Sequence, residues 1–193
     1  MILNILKQFN WVDVLVVIIV IRILYIATVK GFVIEIFKLL GVLLAVYLSL
    51  HYYTHFSDLL RKRVPLEDKL PLEFLDFICF ALLAITGYLA SVALRIGFYR
   101  LIKMDAAAGL QKWGGLFLGI LRAWLFCGII IFMLVISSIS YLKKSVNSSY
   151  MGKMFFSVPV QTYTLLWEGL ISKFTKNEGF NKTVLEVQGG MDK

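Results

Sequence analysis

The stretch WVDVLVVIIVIRILYIATVKGFVIEIFKLLGVLLAVYLSLHYY, Trp11–Tyr53, decides the fold. It consists of two long apolar runs, 11–29 and 32–53, which only Lys30 and Gly31 separate. A hydrocarbon core of about 30 Å needs roughly 20 mostly apolar residues in a helix, and each run is long enough. The pattern therefore predicts two membrane-spanning helices that form a tight antiparallel hairpin.

Two further apolar runs, 77–94 and 116–141, are also long enough to span a bilayer. Over 193 residues the chain is 60% hydrophobic and 17% charged, whereas a soluble domain has roughly 45–50% apolar and about 25% charged residues. The sequence thus predicts an all-α integral membrane protein, with four transmembrane helices in a small bundle over residues 1–142. The first run is expected to remain as an anchor, because no small-residue cleavage site follows it.

The remaining residues, 143–193, are predicted to form a polar tail. A polar break at 143–149 is followed by Pro159, a residue that suits the first turn of a helix. From there apolar residues recur at helical spacing, which predicts an amphipathic helix at about 159–175. This helix either lies at the membrane interface or docks on the bundle, and residues 177–193 are expected to be frayed. The recurring residues are Val160, Tyr163, Leu166, Trp167, Leu170, Ile171 and Phe174.

Besides Asp13 near the start of the first span, four charged residues fall inside the predicted spans: Arg22, Glu35, Lys38 and Arg122. A helix rises about 1.5 Å per residue, so their depths can be counted from the Lys30–Gly31 turn. Arg22 lies about 12 Å deep, Glu35 about 6 Å, and Lys38 about 10 Å. The fourth helix enters from the same face, which places Arg122 about 10 Å deep. The count predicts one charged layer in one half of the bilayer.

One carboxylate cannot neutralise the three cations of this layer. An Arg22–Glu35 bridge across the hairpin is feasible, and Glu35 and Lys38 share a helix face. Three hypotheses stand side by side: the cations only orient the bundle, they form a binding site for an anion or an anionic lipid, or they dock a protein partner. Asp13 and Asp76 lie toward the other membrane face, where each is expected to cap a helix start.

Three pairs of small residues recur at a spacing of four in the later spans. Such stripes let membrane helices approach closely, either within one chain or between copies in a homo-oligomer. The pairs are Gly41 with Ala45, Gly87 with Ser91, and Gly115 with Gly119.

The sequence offers no motif for catalysis or for a cofactor. His51 and His55 are spaced to share a metal ion, but no third ligand is near, so no metal is expected. A glycine-rich phosphate loop, a nucleophile elbow and an HExxH motif are all missing, so no enzyme is expected. The net charge of +8 indicates attraction to the membrane surface rather than to nucleic acid. Cys79 and Cys127 are expected to be buried apolar residues.

Five segments together resemble the colicin V production protein (CvpA) family of small bacterial inner-membrane proteins. Within these segments, Asp13, Gly31, Glu35, Gly119 and Arg122 fall on the family's motif positions. The chain departs from the family pattern at Lys30, where arginine is common, at Ala123, where glycine is usual, and at 105–109, which lacks a basic residue. The segments are Trp11-Val12-Asp13, Lys30–Glu35, His51-Tyr52-Tyr53-Thr54, Gly115–Arg122 and Ser157-Val158-Pro159-Val160.

The resemblance implies a multi-pass protein of the bacterial inner membrane that is associated with the production or export of colicin V, a secreted peptide toxin, or with envelope homeostasis. It implies no mechanism. The expected function is non-enzymatic support of one of these processes. Two alternatives remain. In the first, the basic cluster serves a small transporter or channel component, or an anionic-lipid-binding protein. In the second, the chain is a scaffold that positions a membrane protein partner. Lysine and arginine are divided about equally between the two membrane faces, so the positive-inside rule selects no orientation.

Overall fold

The computed structural model describes residues 10–63, 71–101, 109–137, 139–175 and 178–191, and these ranges contain helices and no strand. Four of the helices are long and apolar enough to cross a membrane, which confirms the predicted all-α membrane fold. Residues 1–9 and 102–108 lie outside the described ranges. The expectation of an N-terminal anchor rests partly on the first of these segments. The departure from the family pattern at 105–109 falls mostly in the second. The four helices are α1, Trp11–Lys30; α2, Phe32–Arg63; α3, Leu72–Leu101; and α4, Gly115–Ile136, which follows a π-helical turn at Leu110–Gly114.

The helix bounds differ from the predicted apolar runs. α2 continues to Arg63 rather than ending near residue 53, and α3 begins at Leu72 rather than near residue 77. Hydropathy marks only the part of a helix that lies in lipid. The helix continues beyond that part where no proline or glycine in the flanking polar residues interrupts it. α4 instead ends early, at Ile136, because Ser137 is extended and its hydroxyl donates to the Leu134 carbonyl.

α4 is the central helix of the bundle. In its most apolar stretch 56% of the residues are buried, against 22% in α1 and in α3. α1 packs mainly on α4 and barely touches α2, so the predicted hairpin of two packed helices is wrong. Two glycines of α4 explain why it packs so closely on α1. A side chain at Gly115 would lie 2.8 Å from the Ala27 carbonyl oxygen, and Gly119 faces the Ala27 side chain. The missing side chains let α4 occupy the place beside α1.

The small-residue stripes of α2 and α3 pack against each other within one chain. Gly41 lies opposite Ser91, and Ala45 lies opposite Gly87 in antiparallel register. A Cβ atom at Gly87 would be 2.9 Å from the Ala45 Cα atom, so backbone meets backbone. The interface between α2 and α3 is the most extensive helix contact among the described residues.

The chain beyond α4 is helical rather than a polar break. α5 covers Ser140–Ser148, and α6 covers Tyr150–Leu166 and continues through a π-helical turn, Trp167–Ile171, to a last turn at Ser172–Phe174. The predicted start at about residue 159 is therefore wrong. α6 begins earlier because the Ser149 hydroxyl accepts a hydrogen bond of 2.9 Å from the Gly152 N–H and caps the helix.

Pro159 lies inside α6, where its ring meets a glycine of the central helix. A side chain at Gly128 of α4 would lie 2.8 Å from the Pro159 ring. Phe155 and Phe156 are buried one turn before the proline, and Tyr163 is buried one turn after it. Of the two predicted placements, the structure shows α6 docked on the bundle.

For residues 178–191 the expectation of a frayed end is also wrong, and residues 177, 192 and 193 lie outside the described ranges. α7 covers Thr183–Met191, and both Asn181 and Val184 are buried. The Asn181 side chain donates to the Leu50 carbonyl oxygen at 2.8 Å, which attaches this segment to α2. A buried amide with backbone partners fixes a segment that has few apolar residues of its own.

Candidate functional site

Glu35 is the centre of the charged layer. Its carboxylate is fully buried and meets two cations, one on each oxygen. Lys38 Nζ lies 2.6 Å from Oε1, and Arg122 Nε lies 3.1 Å from Oε2. The Lys38 contact is a hydrogen bond, whereas the Arg122 N–H is not directed at the oxygen, so that contact is an ion pair alone.

The position of Glu35 follows from the turn between α1 and α2. Gly31 adopts φ +81°, a left-handed conformation that glycine adopts without steric cost. Its carbonyl oxygen accepts from the Glu35 N–H at 3.2 Å, so Glu35 lies in the first turn of α2. A carboxylate is favoured there by the helix macrodipole, and Lys38 follows at i+3 on the same face.

Arg122 connects the central helix to two of its neighbours, α2 and α1. Besides its ion pair with Glu35 of α2, its Nη2 donates to the Ile23 carbonyl oxygen of α1 at 3.4 Å. The residue is only 6% exposed. Its level on α4 follows from Gly119, one turn earlier, which allows the close contact with α1.

Arg22 does not join the other three charged residues. Its side chain is exposed, and it forms no ion pair with Glu35 or with any other carboxylate in the described ranges. The bridge considered from the sequence is not formed, because α4 rather than α2 packs beside this part of α1 and the Glu35 oxygens face Lys38 and Arg122. No carboxylate among the described residues therefore compensates the charge of Arg22.

A cavity of about 410 Å³ lies between Arg22 and Arg122. Its walls are otherwise apolar and come from all four long helices, with Tyr88 as a further polar side chain. Counting Glu35, Lys38 and both arginines, this region keeps a formal excess of two positive charges. An apolar cavity with few polar groups is the usual form of a small-ligand site, and here the polar groups would suit an anion. The apolar wall is formed by Ile19, Ile23, Ile26, Val42 and Phe126.

The two aspartates predicted as caps have different positions. Asp13 is fully buried and accepts from the Asn10 N–H at 2.8 Å, which completes a capping box at the start of α1. Its other oxygen accepts from Ser149 Oγ at 2.7 Å and from the Met151 N–H at 2.8 Å, at the start of α6. One carboxylate thus serves two helix N-termini. Asp76 does not cap a helix start, because α3 begins one turn before it.

His51 faces the docked C-terminal part of the chain. Its Nδ1 lies 2.8 Å from the Tyr163 hydroxyl, and its Nε2 lies 3.3 Å from a Glu178 oxygen. His55 is exposed, and the described ranges hold no group of three histidine, cysteine or acidic side chains that could bind a metal ion. Burial raises the pKa of Tyr163, although the Asn181 N–H that donates to its hydroxyl acts in the opposite direction. Cys79 and Cys127 are buried free thiols.

Several of these partners were not predicted from the sequence. Asn10 had a readable signal, because Asn-x-x-Asp before an apolar run is a capping pattern. Ser149 had a weaker one, a serine before a helix start. Glu178 and Asn181 had none, because a polar tail of this composition gives no periodic pattern. Their roles depend on where the tail meets α2.

The fold and this set of contacts define a multi-pass, all-α membrane protein. The family model described as "Colicin V production protein" matches residues 12–158. Because the match covers most of the chain, the chain belongs to the colicin V production protein family, which confirms the resemblance found in the sequence. No curated protein and no solved structure matches the chain.

Proposed function

We propose that this chain is a non-enzymatic protein of the bacterial inner membrane whose molecular activity is to bind an anionic lipid headgroup in the cavity between Arg22 and Arg122. In this proposal, lipid binding supports toxin production or export, or envelope homeostasis. The family membership supports the cellular setting, and the cavity supports the molecular activity.

The observation that supports the proposal most directly is the position of Arg22. It is an exposed arginine about 12 Å from the Lys30–Gly31 turn, counted at the helical rise, and it pairs with no carboxylate in the described ranges. A cation at the centre of a bilayer costs about 2.5–3.5 kcal/mol on insertion scales. A phosphate brought close to the guanidinium would offset this cost with a bidentate, charge-assisted pair.

The rest of the cavity suits a lipid as the source of that phosphate. Arg122 adds a second cation at the same depth, and Glu35 cannot neutralise it fully because it also binds Lys38. The isoleucines of α1 and Phe126 of α4 offer an apolar surface on which the start of an acyl chain can pack. A headgroup that reaches this depth brings its own hydrocarbon with it.

A second candidate is a component of a transport path for an anionic solute. It is favoured by Arg122, which is buried inside the bundle rather than at its lipid-facing surface. Both candidates use the same cations, but only transport requires movement of the anion across the membrane. Flux in vesicles therefore distinguishes them.

The test is native mass spectrometry of the full chain in mixed phosphatidylglycerol and phosphatidylcholine. We expect the wild type to retain phosphatidylglycerol preferentially and Arg22→Gln to lose most of that preference. Arg22→Lys should retain part of it, because lysine keeps the charge but not the bidentate geometry. Lys30→Gln is the matched control, since it removes one exposed cation from the same helix outside the cavity.

Equal retention of the two lipids by the wild type would reject lipid binding. So would equal losses in Arg22→Gln and Lys30→Gln, because the effect would then come from net charge alone. Anion flux in vesicles that disappears in Arg22→Gln would favour the transport candidate. The same spectra report the number of chains in each particle and so test for a homo-oligomer.

A further inference from the structure

A second cavity lies at the opposite end of the bundle, far from the charged layer. It has a volume of about 270 Å³ and lies between α2, α3, α4, α5 and the docked helix α7. Tyr53 lies 21 residues after the first residue of α2, about 32 Å along the helix at 1.5 Å per residue. This length matches a hydrocarbon core, so the cavity lies at the headgroup level of the other membrane face.

The Tyr53 hydroxyl is the feature that requires a partner. The residue is 1% exposed, it lines the cavity, and its hydroxyl has no hydrogen-bond partner among the residues that the structure describes. The carboxylates of Asp76 and Glu186 lie within electrostatic range of it. A buried hydroxyl is costly when it remains unpaired, and native proteins rarely leave one so.

The surroundings of this hydroxyl are acidic. The carboxylates are Asp76, Glu73, Glu186 and, near Asp76, Asp58. The cations are Lys143, which lies 3.9 Å from Glu73, and Arg61, which also interacts with Asp76. Among the described residues, four carboxylates against two cations leave a formal excess of two negative charges.

The side chains around the Tyr53 hydroxyl suit an organic cation better than a metal ion. The described ranges hold no cluster of three acidic, histidine or cysteine ligands, which a metal ion would need. Three apolar side chains, Val135, Ile136 and Val187, form the rest of the wall. A hydroxyl beside carboxylates can bind the N–H groups of an ammonium, while an apolar wall receives the attached carbons.

We propose that this cavity binds a primary ammonium group, held by Asp76 and the Tyr53 hydroxyl. At headgroup level the ammonium can come from phosphatidylethanolamine or from a free small amine. The site is distinct in charge and in membrane face from the arginine cavity, so it does not depend on the function proposed above.

The lipid arm of the test uses the full chain in mixed phosphatidylethanolamine and phosphatidylcholine, with retained lipids counted by native mass spectrometry. Phosphatidylcholine is the matched control, because its quaternary ammonium carries the same charge but has no N–H donor. The soluble arm measures binding of ethanolamine by calorimetry to the protein in detergent. In both arms we expect Tyr53→Phe to weaken binding about tenfold, the effect of one hydrogen bond to a charged group.

Asp76→Asn should abolish preferential binding, and Tyr150→Phe, which changes an exposed tyrosine that lines neither cavity, should leave it unchanged. Selective retention of phosphatidylethanolamine without binding of ethanolamine identifies the lipid as the source, and the reverse identifies a free amine. The proposal is overturned if the wild type retains both lipids equally and binds no ethanolamine. It is also overturned if Tyr53→Phe and Asp76→Asn both bind as tightly as the wild type.

Discussion

Arg122 Nε of α4 lies 3.1 Å from the Glu35 carboxylate of α2, in a part of the bundle with almost no solvent exposure. The same guanidinium reaches the Ile23 carbonyl oxygen of α1. One side chain therefore ties three helices together at one depth. In a medium without water to screen it, such a contact has consequences for both stability and binding.

Glu35→Gln is expected to destabilise the protein by about 3–5 kcal/mol, the usual cost of removing one partner of a buried ion pair. The substitution leaves Lys38 and Arg122 in the bundle without a counter-charge. Unfolding of the purified protein in detergent, by heat or by a denaturing surfactant, measures the change. Glu168→Gln is the control, because Glu168 is exposed on the π-helical turn after α6. Equal stability of the two variants would contradict the prediction.

The levels of the charged residues could be predicted from the sequence, but their directions could not. Counting along the helices placed Glu35, Lys38 and Arg122 together, and they do meet. Arg22 has a similar depth but lies on the exposed side of α1. Depth depends on the helical rise alone, whereas direction depends on which neighbour packs beside α1. That neighbour is α4, because glycines at 115 and 119 allow its approach.

The tail was harder to predict for a similar reason. Periodicity indicated the apolar stripe that begins at Val160, but the start of α6 is set by the Ser149 cap. Pro159 was expected to begin a helix, and it is tolerated inside one because Gly128 of α4 leaves room for its ring. The tolerance of Pro159 is not local in sequence, since it depends on Gly128 of another helix. The Ser149 cap is local, but a single serine before a helix start is only a weak signal.

Gly87→Ala is expected to destabilise the bundle by about 1–3 kcal/mol, the range for an overpacked core. Its new methyl group would meet the backbone of Ala45, at 2.9 Å from the Cα atom, and a backbone cannot turn aside as a side chain can. Gly97→Ala is a matched control on the same helix, because no atom lies within 4 Å of its Cβ position. The control should be neutral or stabilising by up to about 1 kcal/mol, from helix propensity. Thermal unfolding of both variants in detergent provides the comparison, and equal losses would contradict this account of the α2–α3 contact.

Ser149→Ala is expected to cost about 0.5–2 kcal/mol of stability, the range for loss of an N-cap hydroxyl. The change also removes one of the donors to the buried Asp13 carboxylate. Because both residues belong to one network, the losses of stability in Ser149→Ala and Asp13→Ala should not add up to the loss in the double variant. Ser172→Ala, which removes an exposed hydroxyl near the end of α6, should change little. Additive losses in the double-mutant cycle would show that Asp13 and Ser149 act separately.

Tyr163 should make the docking of the C-terminal segment sensitive to alkali. Its hydroxyl accepts from the Asn181 N–H at 3.1 Å and contacts His51 Nδ1 at 2.8 Å. Burial raises its pKa above the ordinary value of 10.0, so the fold favours the neutral phenol. The stability that it contributes is therefore complete below about pH 10 and is lost as the pH rises through the raised pKa.

A difference titration of tyrosinate absorbance between the wild type and Tyr163→Phe tests this prediction. We expect the wild type to contain a component that ionises above about pH 10 and that the variant lacks. Tyr150→Phe, which removes an exposed tyrosine from the same helix, should retain that component. As it ionises, the segment from 178 to 191 should detach, because a buried phenolate loses far more solvation than a phenol does. Protease cleavage within this segment should then rise with pH in the wild type. A component at the ordinary pKa that disappears in Tyr163→Phe would show instead that the hydroxyl is solvated and that the segment is held by its other contacts.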